Sequence, residues 1–160
     1  MRQRMIIVLR IDDRLIHAQV VIGWGRSVKP DRIVIADDDV AANEWEKQLY
    51  TSASPDFRVS ILSIARAFEQ IDGGVFDKEK IILLVRGPKD AMRLLEMGLD
   101  LDEVNVGGMH FSEGREKLLD NIYLDPDERD TLREMVKKGI TLEARALPDS
   151  EKVILNSMVV

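Results

Sequence analysis

Apolar residues fall along this chain in short unbroken runs, separated by stretches in which they recur at helical spacing. Residues 5–9 (Met-Ile-Ile-Val-Leu), 32–36 and 80–85 are dense in β-branched side chains. Unbroken runs predict strands covered on both faces, as in a parallel sheet. Weaker strands are predicted over 58–62 and 103–106. The stretch 141–146 alternates, which suits a strand near an edge. Helices are predicted between them. One spans 19–26. Another spans 41–52, with Trp45 and Leu49 at helical spacing, and a third, 64–71, is closed by Asp72-Gly73-Gly74. A fourth covers 88–97, opening with Pro88 and stopping at Gly98. A fifth covers 126–138, with Asp125 as cap, acidic residues early, Lys137-Lys138 late and Gly139 after. Trp24, Met92 and Met97 take core positions. Strands alternating with helices predict an α/β fold: a single domain spanning 1–160, with a mainly parallel central sheet flanked by helices on both faces and right-handed crossovers. The tail, 156–160, is expected to be loose.

Composition narrows the function. The 160 residues carry 23 Lys or Arg and 29 Asp or Glu, a net charge of −6, which argues against general nucleic-acid binding. The absence of cysteine excludes a disulfide scaffold, a thiol nucleophile and a cysteine-based metal site. No apolar run approaches the roughly 18 residues of a membrane span. The basic start, Met1 to Arg4, leads into an apolar stretch too short for a signal peptide. A cytoplasmic protein is expected, without metal or cofactor.

Ligands of open α/β sheets bind beyond the carboxyl ends of the strands. Those ends carry Asp12, Asp13, Arg14 and His17 after the first strand, and Asp37, Asp38 and Asp39 after the second. Arg86 follows the fourth, and Gly107, Gly108 and His110 the fifth. Both histidines are therefore at this edge. His17 precedes a predicted helix start, where free N–H groups suit a phosphate. Arg14 supplies a planar cationic fork for phosphate oxygens. Asp12 or Asp13 would hold a ring nitrogen or orient Arg14. These are the parts of a phosphohistidine relay, in which a neutral ring attacks a phosphoryl group in line. The same residues also fit a surface histidine beside an Arg–Asp salt bridge.

The segment Ile11-Asp12-Asp13-Arg14-Leu15-Ile16-His17-Ala18-Gln19-Val20-Val21, with Gly23-Trp24 following, resembles the active-site segment of the mannose/fructose/sorbose-type IIB component of the sugar phosphotransferase system (PTS). Residues 31–38, the run Val104-Asn105-Val106-Gly107-Gly108-Met109-His110-Phe111, Tyr123-Leu124-Asp125 and Ala146-Leu147-Pro148 resemble further segments of that family in order, over about 6–155. The resemblance implies a phosphotransferase subunit with a mostly parallel α/β fold. It would take a phosphoryl group from a phosphohistidine on a IIA domain and pass it to a sugar held by membrane IIC and IID components. His17 falls on the family's phosphorylated histidine and Arg14 on its motif arginine.

The family usually has glycine directly after the histidine, where this chain has Ala18. A methyl group there would crowd the phosphate or exclude a positive φ. Gln19, within the motif, and Gly107, Gly108 and His110 are expected to shape the phosphate site. Asp38, with Asp37, would orient Arg14 or solvate a loop, and Arg86 would add positive charge near His17. Two other classes remain open: a regulatory relative controlled by phosphorylation at His17, and a hydrolase using Asp37, Asp38 and His17. The latter lacks a Gly-x-Ser-x-Gly elbow.

Overall fold

The computed structural model describes residues 6–160. Seven strands form one sheet: β1 (Ile6–Asp12), β2 (Arg32–Ala36), β3 (Arg58–Leu62), β4 (Ile81–Val85), β5 (Glu103–Gly108), β8 (Thr141–Ala144) and β9 (Val153–Ile154). Their order is β3-β2-β4-β1-β5-β8-β9, and every neighbouring pair is parallel except β8 with the edge strand β9. A separate antiparallel hairpin pairs β6 (Glu116–Leu119) with β7 (Ile122–Leu124). Met5 lies outside the described residues.

The chain leaves β1 toward β2 and β3, returns to β4, and then crosses to β5 on the other side of β1. The reversal of strand order falls between β1 and β5, and a crevice opens at the carboxyl ends of strands at such a point. Alternate residues of each strand face opposite sides of the sheet. On one side Leu9, Ile11, Val34, Leu83, Val104 and Leu142 meet α4 (Ile64–Asp72), α5 (Pro88–Met97) and α6 (Pro126–Lys137). On the other, Ile33, Ile35, Ile82 and Leu84 pack with Leu15, Val20 and Trp24.

α6 begins at a capping box, Asp125 with Glu128, as its acidic start predicts. Other elements depart from expectation. The stretch after His17 is a π-helix, Gln19–Gly25, running into the short α1 (Arg26–Val28). The helix expected over 41–52 is two helices, α2 (Asp38–Ala41) and α3 (Glu44–Ser52). Asp37 caps the first and Asn43 the second. Trp45 and Leu49 face solvent, and Met97 is also exposed. The tail is not loose: α7 (Asn156–Val159) docks through the fully buried Leu155 and Val159, and Arg129 and Arg133 of α6 donate to its last carbonyls.

Candidate active site

β1 outruns its apolar run because Arg10 and Asp12, two residues apart, face the same side of the sheet and are both fully buried. Burial of an ion pair requires further hydrogen bonds to each partner. Arg10 donates to Asn105 Oδ1 at 2.7 Å, to the Arg145 carbonyl at 3.1 Å, to Gln19 Oε1 at 2.8 Å and to Asp12 Oδ2 at 3.4 Å. Its guanidinium lies 5.4 Å from the Trp24 ring centroid, and Arg145 lies 5.3 Å from the same ring. Trp24 is anchored by donating its indole N–H to the Ala146 carbonyl at 2.8 Å. Under the π-helix, the face built by β1, β5 and β8 is thus polar, whereas the face built by β2 and β4 is apolar.

Asp12 gathers the site. Its Oδ1 accepts from the Arg14 backbone N–H at 3.0 Å and from Arg14 Nε at 3.3 Å. Its Oδ2 lies 2.9 Å from His17 Nε2. Burial pushes the Asp12 carboxyl up. Bonds from His17 and the Arg14 N–H, together with the charge of Arg10, outweigh it and hold the group below the usual carboxylate range. The Gln19 backbone N–H, which can only donate, points at His17 Nδ1 from 3.3 Å. Nδ1 is therefore the acceptor, and Nε2 carries the proton that Asp12 receives. The free lone pair of the neutral ring is at Nδ1. Gln19 Oε1 is shared between Arg10 and, at 3.5 Å, Arg14.

The turn between Asp12 and His17 is held open by the core. Leu15 has φ of 57° in the left-handed region, donates its N–H to the Asp12 carbonyl at 3.0 Å and is fully buried. Ala18 has φ −53° and ψ −40° and is exposed. The positive φ that glycine would permit is not used, so Ala18 fits the backbone without strain.

Asp13 faces the other half of the site. It accepts the His110 backbone N–H at 2.8 Å and meets His110 Nδ1 at 2.6 Å. Arg14, Gln19, Gly107, His110 and Asn121 border a cleft of about 430 Å³ beside the hairpin. Both glycines of β5 have steric reasons. A Cβ on Gly107 would strike the Arg10 guanidinium. One on Gly108 would sit 3.2 Å from both Asp12 carboxylate oxygens and from His110 Cε1. The space at Gly107 is thus filled by Arg10, not left for a ligand.

Asp37, Asp38 and Arg86 do not join this cluster. Asp37 caps α2 by accepting from the Val40 N–H at 2.9 Å and pairs with Arg86 at 3.4 Å. Asp38 accepts from the Ile64 N–H at 2.9 Å and pairs with Arg93 at 2.9 Å, fixing the start of α4. These carboxylates hold helix starts instead of orienting Arg14, and Arg86 spends its charge on Asp37. Sequence reasoning gave no site role to Arg10, Asn105 and Arg145; Trp24 is in the core as expected, with Arg10 and Arg145 over its ring. The one available signal was a charged residue following an apolar strand without a turn residue between them.

A cleft bordered by Arg14 and His110, beside a His17 held by Asp12, puts both histidines at the strand ends of a mostly parallel α/β protein. The family model for the PTS system sorbose subfamily IIB component matches residues 6–160, and the chain belongs to that family. It is 32% identical over 149 residues to the N-acetylgalactosamine-specific phosphotransferase enzyme IIB component 1 of Escherichia coli K12, covering 92% of this chain and 94% of that one. It is 32% identical over 151 residues to the PTS system mannose-specific EIIAB component of the same organism, covering 94% of this chain and 47% of that one. The solved IIBSor domain of the sorbose permease from Klebsiella pneumoniae superposes with a TM-score of 0.90 at 29% identity, covering 98% of this chain and 96% of that one. The chain is thus a phosphotransferase subunit of a sugar transport system. No helix of the described residues is long and apolar enough to cross a membrane.

Proposed function

We propose that this chain is a cytoplasmic phosphocarrier that takes a phosphoryl group from a IIA phosphohistidine onto His17 Nδ1 and passes it to a sugar held by membrane IIC and IID components. The observation that carries this reading is the two-sided hold on the His17 ring: Asp12 at Nε2 and the Gln19 N–H at Nδ1. Asp12 keeps the ring oriented and stabilises positive charge as Nδ1 attacks. The Nδ1–P bond forms as the donor's N–P bond breaks, and the electron pair returns to the donor nitrogen. Arg14, half exposed at the mouth of the cleft, meets the equatorial oxygens, and the Gln19 N–H turns from the ring to the phosphate. The mannose-specific relative is named as an EIIAB component, in accord with a IIA donor.

The test is reconstitution. The chain is incubated with radiolabelled phosphoenolpyruvate, the general phosphotransferase proteins and a IIA domain, and the labelled residue is mapped. Label on the Nδ1 of His17 is expected. A chain that takes no label, or takes it elsewhere, overturns the reading.

A further inference from the structure

His110 is the second of two histidines in the chain, and the relay described above gives it no step. Its position is nevertheless built. Asp13 binds both its backbone N–H and its ring. Arg115 donates to the His110 carbonyl at 2.6 Å and to Asp13 at 3.4 Å, and is itself held by Glu128 of α6 through bonds of 2.9 and 2.7 Å. A carboxylate only accepts, so Nδ1 of the neutral His110 ring carries the proton and Nε2 presents its lone pair. The ring borders the same cleft as Arg14 and Gln19 and is 42% exposed. The space at Gly108 is bounded at 3.2 Å by His110 Cε1 and by both oxygens of the Asp12 carboxylate, which holds His17. His17 is thus held by Asp12 and His110 by the neighbouring Asp13, and the two rings have opposite tautomers.

The two halves of the relay differ in protons. Transfer from a donor phosphoimidazolium, whose second nitrogen keeps its proton, to the neutral His17 ring leaves a neutral donor imidazole and a cationic phosphorylated ring, with no proton to move. Transfer to a hydroxyl is different: a P–O bond forms, the N–P bond breaks, its electron pair returns to His17 Nδ1, and the hydroxyl proton must leave. We propose that His110 Nε2 takes this proton, making His110 a catalytic base for the second half-reaction only, with Asp13 positioning the ring and stabilising the imidazolium that results. The proton then passes to water from the exposed ring. This rests on the phosphocarrier reading and adds to it the partition of the chemistry between the two histidines.

The test separates the halves. The chain is labelled through phosphoenolpyruvate, the general proteins and IIA, and the donor is removed. Label is then chased to water, and to sorbose, mannose, fructose or N-acetylgalactosamine presented with vesicles containing IIC and IID. His110→Gln and His110→Asn keep polarity and remove the base. Each should lower the ratio of chase rate to labelling rate about a hundredfold. The charged groups that hold the ring or share its cleft are Asp13, Arg14, Arg115, Asp120, Arg145 and Glu151, with Glu128 behind Arg115 and the Asp12–His17 pair beside Gly108, and all are retained in both variants. An unchanged ratio overturns the inference while normal labelling leaves the phosphocarrier reading standing. A wild-type chain that takes no label overturns both.

Discussion

Asp12 Oδ2 stands 2.9 Å from His17 Nε2, and no part of Asp12 reaches solvent. A carboxylate so placed links the site to folding. Its pKa is lower in the folded chain than in the unfolded one, so it contributes stability above the unfolded value, about 3.9. That contribution is lost as pH falls through the lower folded value. Asp12→Asn should lower the melting temperature near neutrality and flatten its decline as pH falls below about 4. Thermal melts across that range check this, and an unchanged acid limb would contradict it.

His17 should be the single phosphorylated residue, with label that is acid-labile and alkali-stable, as for phosphorus on nitrogen. Peptide mapping of the labelled chain checks this. Label surviving in His17→Ala, or found on His110, would refute it.

Arg14 should matter for transfer and little for folding. Its side chain is 42% exposed and its Nε reaches Asp12 only at 3.3 Å, a pairing worth about 0–1 kcal/mol. Arg14→Ala should keep its melting temperature within a few degrees while single-turnover phosphorylation from IIA falls about a hundredfold. Large losses in both would make Arg14 structural.

Ala18→Gly should leave the transfer rate unchanged. Ala18 already has helical φ and ψ and its methyl group is in solvent, so nothing is relieved by removing it. Stability should drop by about 0.5–1 kcal/mol, the cost of glycine in helical backbone. A faster glycine form would restore the idea that the methyl group crowds the phosphate.

Gly107→Ala should destabilise by about 1–3 kcal/mol, since the new methyl group meets the Arg10 guanidinium. In an Arg10→Ala background the same change should cost far less, because the obstructing group is gone. Urea unfolding of the four forms gives the coupling, and additive costs would show that the two positions are independent.

β2, β4 and most of β5 read well from sequence because their apolar runs are buried on both faces, whereas β6, β7 and β9 are short and carried no such signal; the list of strand ends contained the histidine, the arginine and both glycines of β5. Arg10 was illegible because a charge at the end of an apolar run looks like a strand terminus. Only the structure shows Asn105, Gln19 and Trp24 around it. α3 misled because Trp45 and Leu49 have helical spacing yet face solvent; periodicity does not say which side of a helix is covered. Asp37 and Asp38 look like catalytic acids by type and place. Their work is to cap α2 and to start α4, and such caps are chosen by backbone geometry, which a spacing pattern does not record.

The left-handed turn at Leu15 gives the motif an address. Non-glycine residues reach that region at a cost of roughly 1–2 kcal/mol, and here the cost is met by the burial of Leu15 and Ile16 under the sheet. A free peptide of residues 10–21 would contain Arg10, Asp12, Arg14 and His17 and lack the scaffold that bends them toward one another. The motif is therefore not portable. Its chemistry belongs to the whole domain, and transplanting it means transplanting the pocket that holds Leu15 and the strand that carries Gly107.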